Sequence, residues 1–184
     1  MNLSDSGTLL EDYKPNNLFR IQLNGTYHYK LPFTYGHTFS IKSNAGWIND
    51  NNVDSFFHFY LGGLPGLKGY PFYSIQGTKN LFFDLNYRIP VFSEKHYKFK
   101  WIILQNSTMG GIIQIGNAWI DDPEPLKKSI GIQWRLNGFS FYNFPTAIEV
   151  EFHQPLVKFD RIINEEKISY GNKGRTYVKV LFDF

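Results

Sequence analysis

Alternation constrains this chain more than any other feature of its sequence. Apolar and polar residues take turns, with a period of two, in seven separate stretches. In the first, Phe19, Ile21, Leu23, Tyr27 and Tyr29 fall on one face, and Arg20, Gln22, Asn24, Thr26, His28 and Lys30 on the other. The same division sets Phe39, Ile41, Ala45 and Trp47 against Ser40, Lys42 and Asn44, and Leu81, Phe83, Leu85, Tyr87, Ile89 and Val91 against Asp84, Asn86 and Arg88. Ile113, Ile115 and Trp119 oppose Gln114 and Gly116, while Ile130, Ile132, Trp134 and Leu136 oppose Gln133 and Arg135. Ile148, Val150 and Phe152 oppose Glu149, Glu151 and His153, and Val178, Val180, Phe182 and Phe184 oppose Tyr177, Lys179 and Asp183. Successive side chains of a strand point to opposite faces, so this is the period of strands with one apolar side. No long window keeps the i, i+3, i+4, i+7 apolar spacing of a helix. The pattern predicts antiparallel strands at 18–30, 37–48, 79–92, 111–120, 129–137, 145–154 and 175–184.

Two architectures use such strands. A soluble sheet turns its apolar face to a core and its polar face to water. A membrane barrel turns the apolar face to lipid and the polar face to a lumen. The aromatic fraction of 18%, with 18 Phe and 12 Tyr, suits the girdles of a barrel. No apolar run approaches the ~18–20 residues of a membrane helix, but a barrel strand needs only about 9–11. Connections alternate as in a barrel: 31–37 and 137–145 are short, 48–79 and 154–175 are long, and 120–128 is intermediate. That order places the last strand running toward the periplasm. The stretch 92–110 is longer than a periplasmic turn and is assigned to no element. Seven strands fall short of the even count of at least eight in bacterial barrels, and lipid tolerates no open edge. The expected fold class is therefore all-β: an antiparallel transmembrane β-barrel, of which residues 18–184 are a C-terminal fragment of about seven strands. Residues 1–17 have no basic region leading into an apolar core, so they are not a signal peptide. They are expected to be an N-terminal segment continuing from upstream.

Other chemistry finds little footing. The chain has no cysteine, which removes disulfides and thiolate metal sites. Its net charge of +3 is spread without a basic block, so no nucleic-acid footprint is visible. The glycines at 62, 63, 66 and 69 lack the helix that must follow a phosphate-cradling loop, and a tight turn is the simpler expectation. Glu149 and Glu151 imitate an acid/base pair, but lumen-facing carboxylates are ordinary in a barrel. His28, His37, His58, His96 and His153 have no ligand spacing. No Gly-X-Ser-X-Gly elbow is present. Asn24-Gly25-Thr26 and Asn106-Ser107-Thr108 match a glycosylation pattern that means little without a secretory eukaryotic context. The reading is of a non-enzyme with no catalytic residue, no metal and no cofactor.

Residues 56–92 carry a more specific signal. Gly62-Gly63 is followed by Leu67-Lys68-Gly69-Tyr70, then by Asn86-Tyr87-Arg88-Ile89-Pro90. Ile112-Ile113-Gln114-Ile115-Gly116-Asn117-Ala118-Trp119 comes next, and the chain ends Leu181-Phe182-Asp183-Phe184. In order and spacing over residues 18–184, this resembles the BamA-like outer-membrane assembly family, also called the bacterial surface antigen family. That family carries Gly-Gly and an aliphatic-Arg-Gly-aromatic sequence in a long extracellular loop that folds back into the barrel. Glu-Tyr-Arg-X-Pro follows on a descending strand, Phe-X-Asp-X-Gly-X-X-Trp on an ascending one, and the last strand ends in an aromatic residue. The stretch from Leu67 to Ser74 looks most like surface-antigen barrels fused behind a TolB-like propeller. The resemblance implies a loop motif of Gly62, Gly63, Leu67, Lys68, Gly69 and Tyr70, with Asn86, Arg88 and Gln114 as its lumen partners. It implies an insertion signal at Val180, Phe182 and Phe184. The family's loop Arg is Lys68 here, its strand Asp is Gln114, and the acid before Tyr-Arg is Asn86. The resemblance thus implies a charged-to-neutral hydrogen bond, Lys68 to Gln114, in place of a buried ion pair. Lysine lacks the guanidinium fork, so a looser docking is expected.

The function implied is outer-membrane protein assembly, insertion or polypeptide translocation in the bacterial outer membrane. Its partners would be membrane lipid, nascent outer-membrane proteins and the barrel assembly machinery, with no nucleic acid. A passive channel or scaffold barrel is the alternative on the same fold, and a soluble all-β binding module is a third class.

Overall fold

A computed structural model describes residues 18–32, 34–141, 144–163 and 166–182. The segment 1–17 and the terminal Phe184 lie outside the described residues. The strands are β1 (Arg20–Lys30), β2 (Thr38–Ile48), β3 (Phe59–Tyr60), β4 (Gln76–Gly77), β5 (Lys79–Phe92) and β6 (Tyr97–Phe99). They continue with β7 (Ile102–Trp119), β8 (Lys127–Ser140), β9 (Phe144–Pro155), β10 (Phe159–Ile163), β11 (Glu166–Tyr170) and β12 (Arg175–Phe182). A 3-10 turn, Ser55–Phe57, is capped by Asp54, which accepts the Phe56 N–H. No α-helix occurs among the described residues. The long strands form one antiparallel meander in the order β1-β2-β5-β7-β8-β9-β12, with β6 beside β7. The protein is therefore all-β and antiparallel. Among the described residues β1 pairs only with β2 and β12 only with β9, so the sheet is open at both edges and no closed barrel is formed.

The fourth expected strand, 111–120, is a correction: it starts far earlier, at Ile102. Its register against β5 shifts between Pro90 and Phe92, and against β8 between Leu104 and Asn106. Pro90 has no N–H to give the ladder, and a bulge inserts a residue that reverses the alternation. After β5 ends, β6 takes its place against β7, with Tyr97 opposite Leu104 and Phe99 opposite Ile102. The stretch 92–110 is thus a hairpin continuing β5 and β7. Its consecutive Trp101-Ile102-Ile103-Leu104 carries no period of two to betray it.

The two faces of the meander have opposite surroundings. Asp84, Asn86, Gln114, Ser129, Gln133, Glu149, Glu151 and His153 are buried. Ile113, Ile130, Ile132, Trp134, Val150, Phe152, Val178, Val180 and Phe182 are exposed, Ile132 at 64% and Val178 at 66%. A soluble sheet does the reverse. The cover over the polar face is the connection between β2 and β5. Its stem is the short ladder of β3 and β4, Phe59 opposite Gly77 and Tyr60 opposite Gln76. Its tip buries Leu61, Leu67, Tyr70 and Ile75 in one cluster with Phe82 of β5 and Ala118 of β7. Each such side chain removed from water contributes roughly 1.5–3 kcal/mol, which is what holds an irregular segment against a polar wall. The β10–β11 hairpin, which the alternation did not reveal, closes over the same end: Phe159 packs on the cluster and meets the Tyr70 ring.

The strands are staggered. Thr38, Arg88, Gly110, Gln133, Glu151 and Tyr177 form one continuous paired row across the sheet. β2 begins on that row, whereas β8 and β9 run well past it to Ser140 and Phe144. Strand centres drift by ~1 residue per strand, or ~3.4 Å for each ~4.8 Å step, which corresponds to a strand tilt of roughly 35°.

Candidate functional site

The site is built on the loop tip where it meets the polar face. Gly63 adopts φ +77°, in the left-handed region open to glycine. Its N–H donates to Tyr70 O at 2.9 Å and is 3.2 Å from Leu67 O, which closes the tip on itself. Gly69 lies flat against the wall: a Cβ there would stand 2.8 Å from Ser129 Cβ and 3.1 Å from Pro155 N. Leu67 and Tyr70 are fully buried on either side of it. The Tyr70 hydroxyl stands 2.9 Å from Lys128 O and 2.8 Å from Val157 O, to either of which it can donate, and it accepts the Val157 N–H at 3.2 Å.

Lys68 is the point at which the strands converge. Its N–H donates to Gln114 Oε1 on β7 at 2.9 Å. Its carbonyl oxygen accepts the Tyr177 hydroxyl of β12 at 2.9 Å. Its ammonium donates to both carboxylate oxygens of Glu151 on β9, at 2.9 and 2.6 Å. Gln114 passes the contact on, donating to Asp84 Oδ2 of β5 at 2.7 Å and accepting from Ser129 Oγ of β8 at 3.0 Å. One loop residue is thereby tied to five strands. Burial pushes the Lys68 ammonium below the ordinary lysine range, and the bonds to Glu151 oppose that.

The two glutamates of β9 on this face are matched by cations. Glu151 also accepts from Lys179 Nζ at 3.0 Å and lies 3.1 Å from His153 Nε2. Glu149 accepts from Lys179 at 3.0 Å and from Arg135 Nη1 at 3.4 Å. Glu149 and Glu151 therefore sit among cations rather than free for acid/base work. At the loop end of the sheet, the Lys127 ammonium, 2.9 Å from Glu124, holds that carboxyl below the ordinary glutamate range.

Gly62, Gly63, Leu67, Lys68, Gly69 and Tyr70 thus come together as one tip, with Gln114 beneath it. The Lys68 bond to Gln114 runs through the main chain, however, and the side chain passes to an acid two strands further on. Asn86 does not reach the tip; it exchanges bonds with Gln133, at 3.1 and 3.2 Å. Arg88 makes no bond to the loop, and its buried Nε has no partner among the described residues. Val180 and Phe182 stand exposed on the uncovered face of β12. Phe184, the third residue of the expected insertion signal, is outside the described residues. Sequence reasoning missed Glu151 and Tyr177 as loop contacts. Both sat on the polar face by parity, but parity does not say which lumen side chain a loop will reach. Compared with family models, curated proteins and solved structures, the chain finds a match in none of the three.

Proposed function

We propose that this chain is the C-terminal part of the wall of a bacterial outer-membrane β-barrel that works in outer-membrane protein assembly, insertion or polypeptide translocation. The observation that carries the reading is the inversion of the sheet: its polar face is covered and its apolar face is bare. Water would penalise that arrangement, and lipid favours it. The dimensions fit. From Leu81 to Val91 the apolar residues of β5 span about 33 Å along the strand, or about 25 Å once tilted as barrel strands are, the height of an outer-membrane apolar band. The stagger of the strands is that of a tilted wall. The loop supports the assembly side of the reading, because it binds β12, the strand at the open edge, through Tyr177 and Lys68. A passive channel is the second reading, and the space left beside the loop along β1 and β2 favours it.

Fractionation of the full-length protein tests the barrel. It should sediment with outer membranes and change its migration on heating in detergent. A soluble protein with unchanged migration would end this reading. Depletion separates the two functions: steady-state levels of other outer-membrane proteins fall for an assembly factor and hold for a channel.

A further inference from the structure

Charge on the loop-covered face is not evenly shared. On the C-terminal half Lys68, Lys179 and Arg135 share the carboxylates of Glu151 and Glu149, three cations in contact with two acids. The N-terminal half has cations without such contacts. β1 and β2 contain no Asp or Glu, yet Arg20, Lys30 and Lys42 stand on their polar positions. Among the described residues, none of the three lies within ion-pair distance of a carboxylate; Arg20 meets the Gln22 side chain and the Phe59 ring. The loop leans toward the other half of the sheet, where Gln114, Glu151 and Tyr177 hold it. Between loop and β1–β2 it leaves a cavity of about 320 Å3. Arg20, Gln22, Asn24, Thr26, Lys42 and Asn44 line it on the strand side, and Phe59, Leu61 and Pro65 on the loop side. A row of side-chain amides crosses its floor, Asn80 donating to Asn44 and Asn44 to Asn24. Lys30, on the same face of β1, continues the cationic line beyond it.

A low-dielectric cleft lined by one sign of charge concentrates the opposite ion, and rings of Arg and Lys set anion preference in pores. We propose that the space between the loop and β1–β2 is a water-filled passage selective for small anions, with Arg20, Lys30 and Lys42 as its selectivity residues. The inference rests on the barrel reading above, but holds for an assembly barrel and a passive channel alike. On the rest of the loop-covered face Lys68, Lys179, Arg135 and Arg88 outweigh Glu149, Glu151 and Asp84, so it does not cancel the cations of β1 and β2.

The full-length protein in planar bilayers, under a potassium chloride gradient, tests it. The wild-type reversal potential should lie on the chloride side. Lys30→Glu with Lys42→Glu should move it to the potassium side, and Lys30→Gln with Lys42→Gln should bring it toward zero. Both lysines are exposed. Lys42 stands cross-strand from Asp84, so the Lys30→Gln with Lys42→Gln variant, which sets no like charges opposite each other, is the one expected to leave folding undisturbed. Lys100→Glu, at a hairpin turn away from the cavity, should leave it unchanged. A Thr26→Cys variant gives a second reading that needs no current: an anionic thiol reagent should label it faster than a cationic one of equal size. Protein that does not enter the bilayer overturns the barrel reading and this one with it. A heat-modifiable protein that inserts but carries no current, or one whose reversal potential ignores the charge reversals, overturns the passage alone.

Discussion

Lys68 uses its ammonium, its N–H and its carbonyl oxygen at once, and only the first belongs to the side chain. Lys68→Ala should therefore loosen the loop without releasing it. Glu151 keeps Lys179 and His153, so its carboxylate is not orphaned, and the loss should be about 1–3 kcal/mol rather than the ~3–5 kcal/mol of a stranded buried charge. Glu151→Gln should cost more, because it strips the acid from two ammonium groups together. Lys68→Arg should be tolerated, since the charge stays and the fork suits a carboxylate. Protease protection of residues 61–75 in the folded full-length protein, and the temperature at which migration changes, measure all three. Equal protection in every variant would show that the apolar cluster alone holds the tip. The contact was half legible in the sequence. The family resemblance put Lys68 over Gln114, and the main chain makes that bond. Glu151 was readable as inward-facing but not as the partner, because the choice depends on how far a loop reaches across the sheet.

Elements were more legible than contacts. Six of the seven expected strands lie within a few residues of β1, β2, β5, β8, β9 and β12, because one face of each must be apolar and a slip would turn every such residue over. The failures have two causes. β6 and Ile102–Leu104 of β7 lie beyond register shifts that break parity, and β10 and β11 are hairpin arms of five residues each, too short for an alternation to stand out. The uncovered face also makes a prediction of its own. Ile132→Arg or Val150→Arg places a charge in the middle of the apolar side, where lipid would charge roughly 2–4 kcal/mol for it. Asp122→Arg, in the β7–β8 connection, should cost almost nothing. Urea-dependent unfolding in vesicles compares them. If both kinds of substitution are equally mild, the face meets water rather than lipid.

At the scale of the whole molecule, two strands have main-chain groups with no neighbour among the described residues: β1 on one side and β12 on the other. Lipid cannot satisfy those groups, so a wall of this kind must be closed by further strands or be held by a partner. β12 is suited to being held. Val178, Val180 and Phe182 alternate outward, and an extended edge can add to another sheet by main-chain pairing, with side chains supplying the choice of partner. Deletion of residues 182–184 should lower the amount of the full-length protein in the outer membrane and leave it sensitive to protease. An aromatic anchor at the membrane surface would give the same result in cells, since such residues are common at barrel rims. Refolding in detergent separates the two, because no assembly machinery is present there. If the terminal residues act as a signal, the shortened protein still reaches its heat-modifiable form in micelles at a near wild-type rate and fails only in cells. If they act as an anchor or complete the fold, both yields fall together. A disulfide engineered between β12 and whichever strand closes against it carries the test further: locking that seam should stop assembly of other outer-membrane proteins where lateral opening is used, and leave conductance intact where the barrel is only a channel.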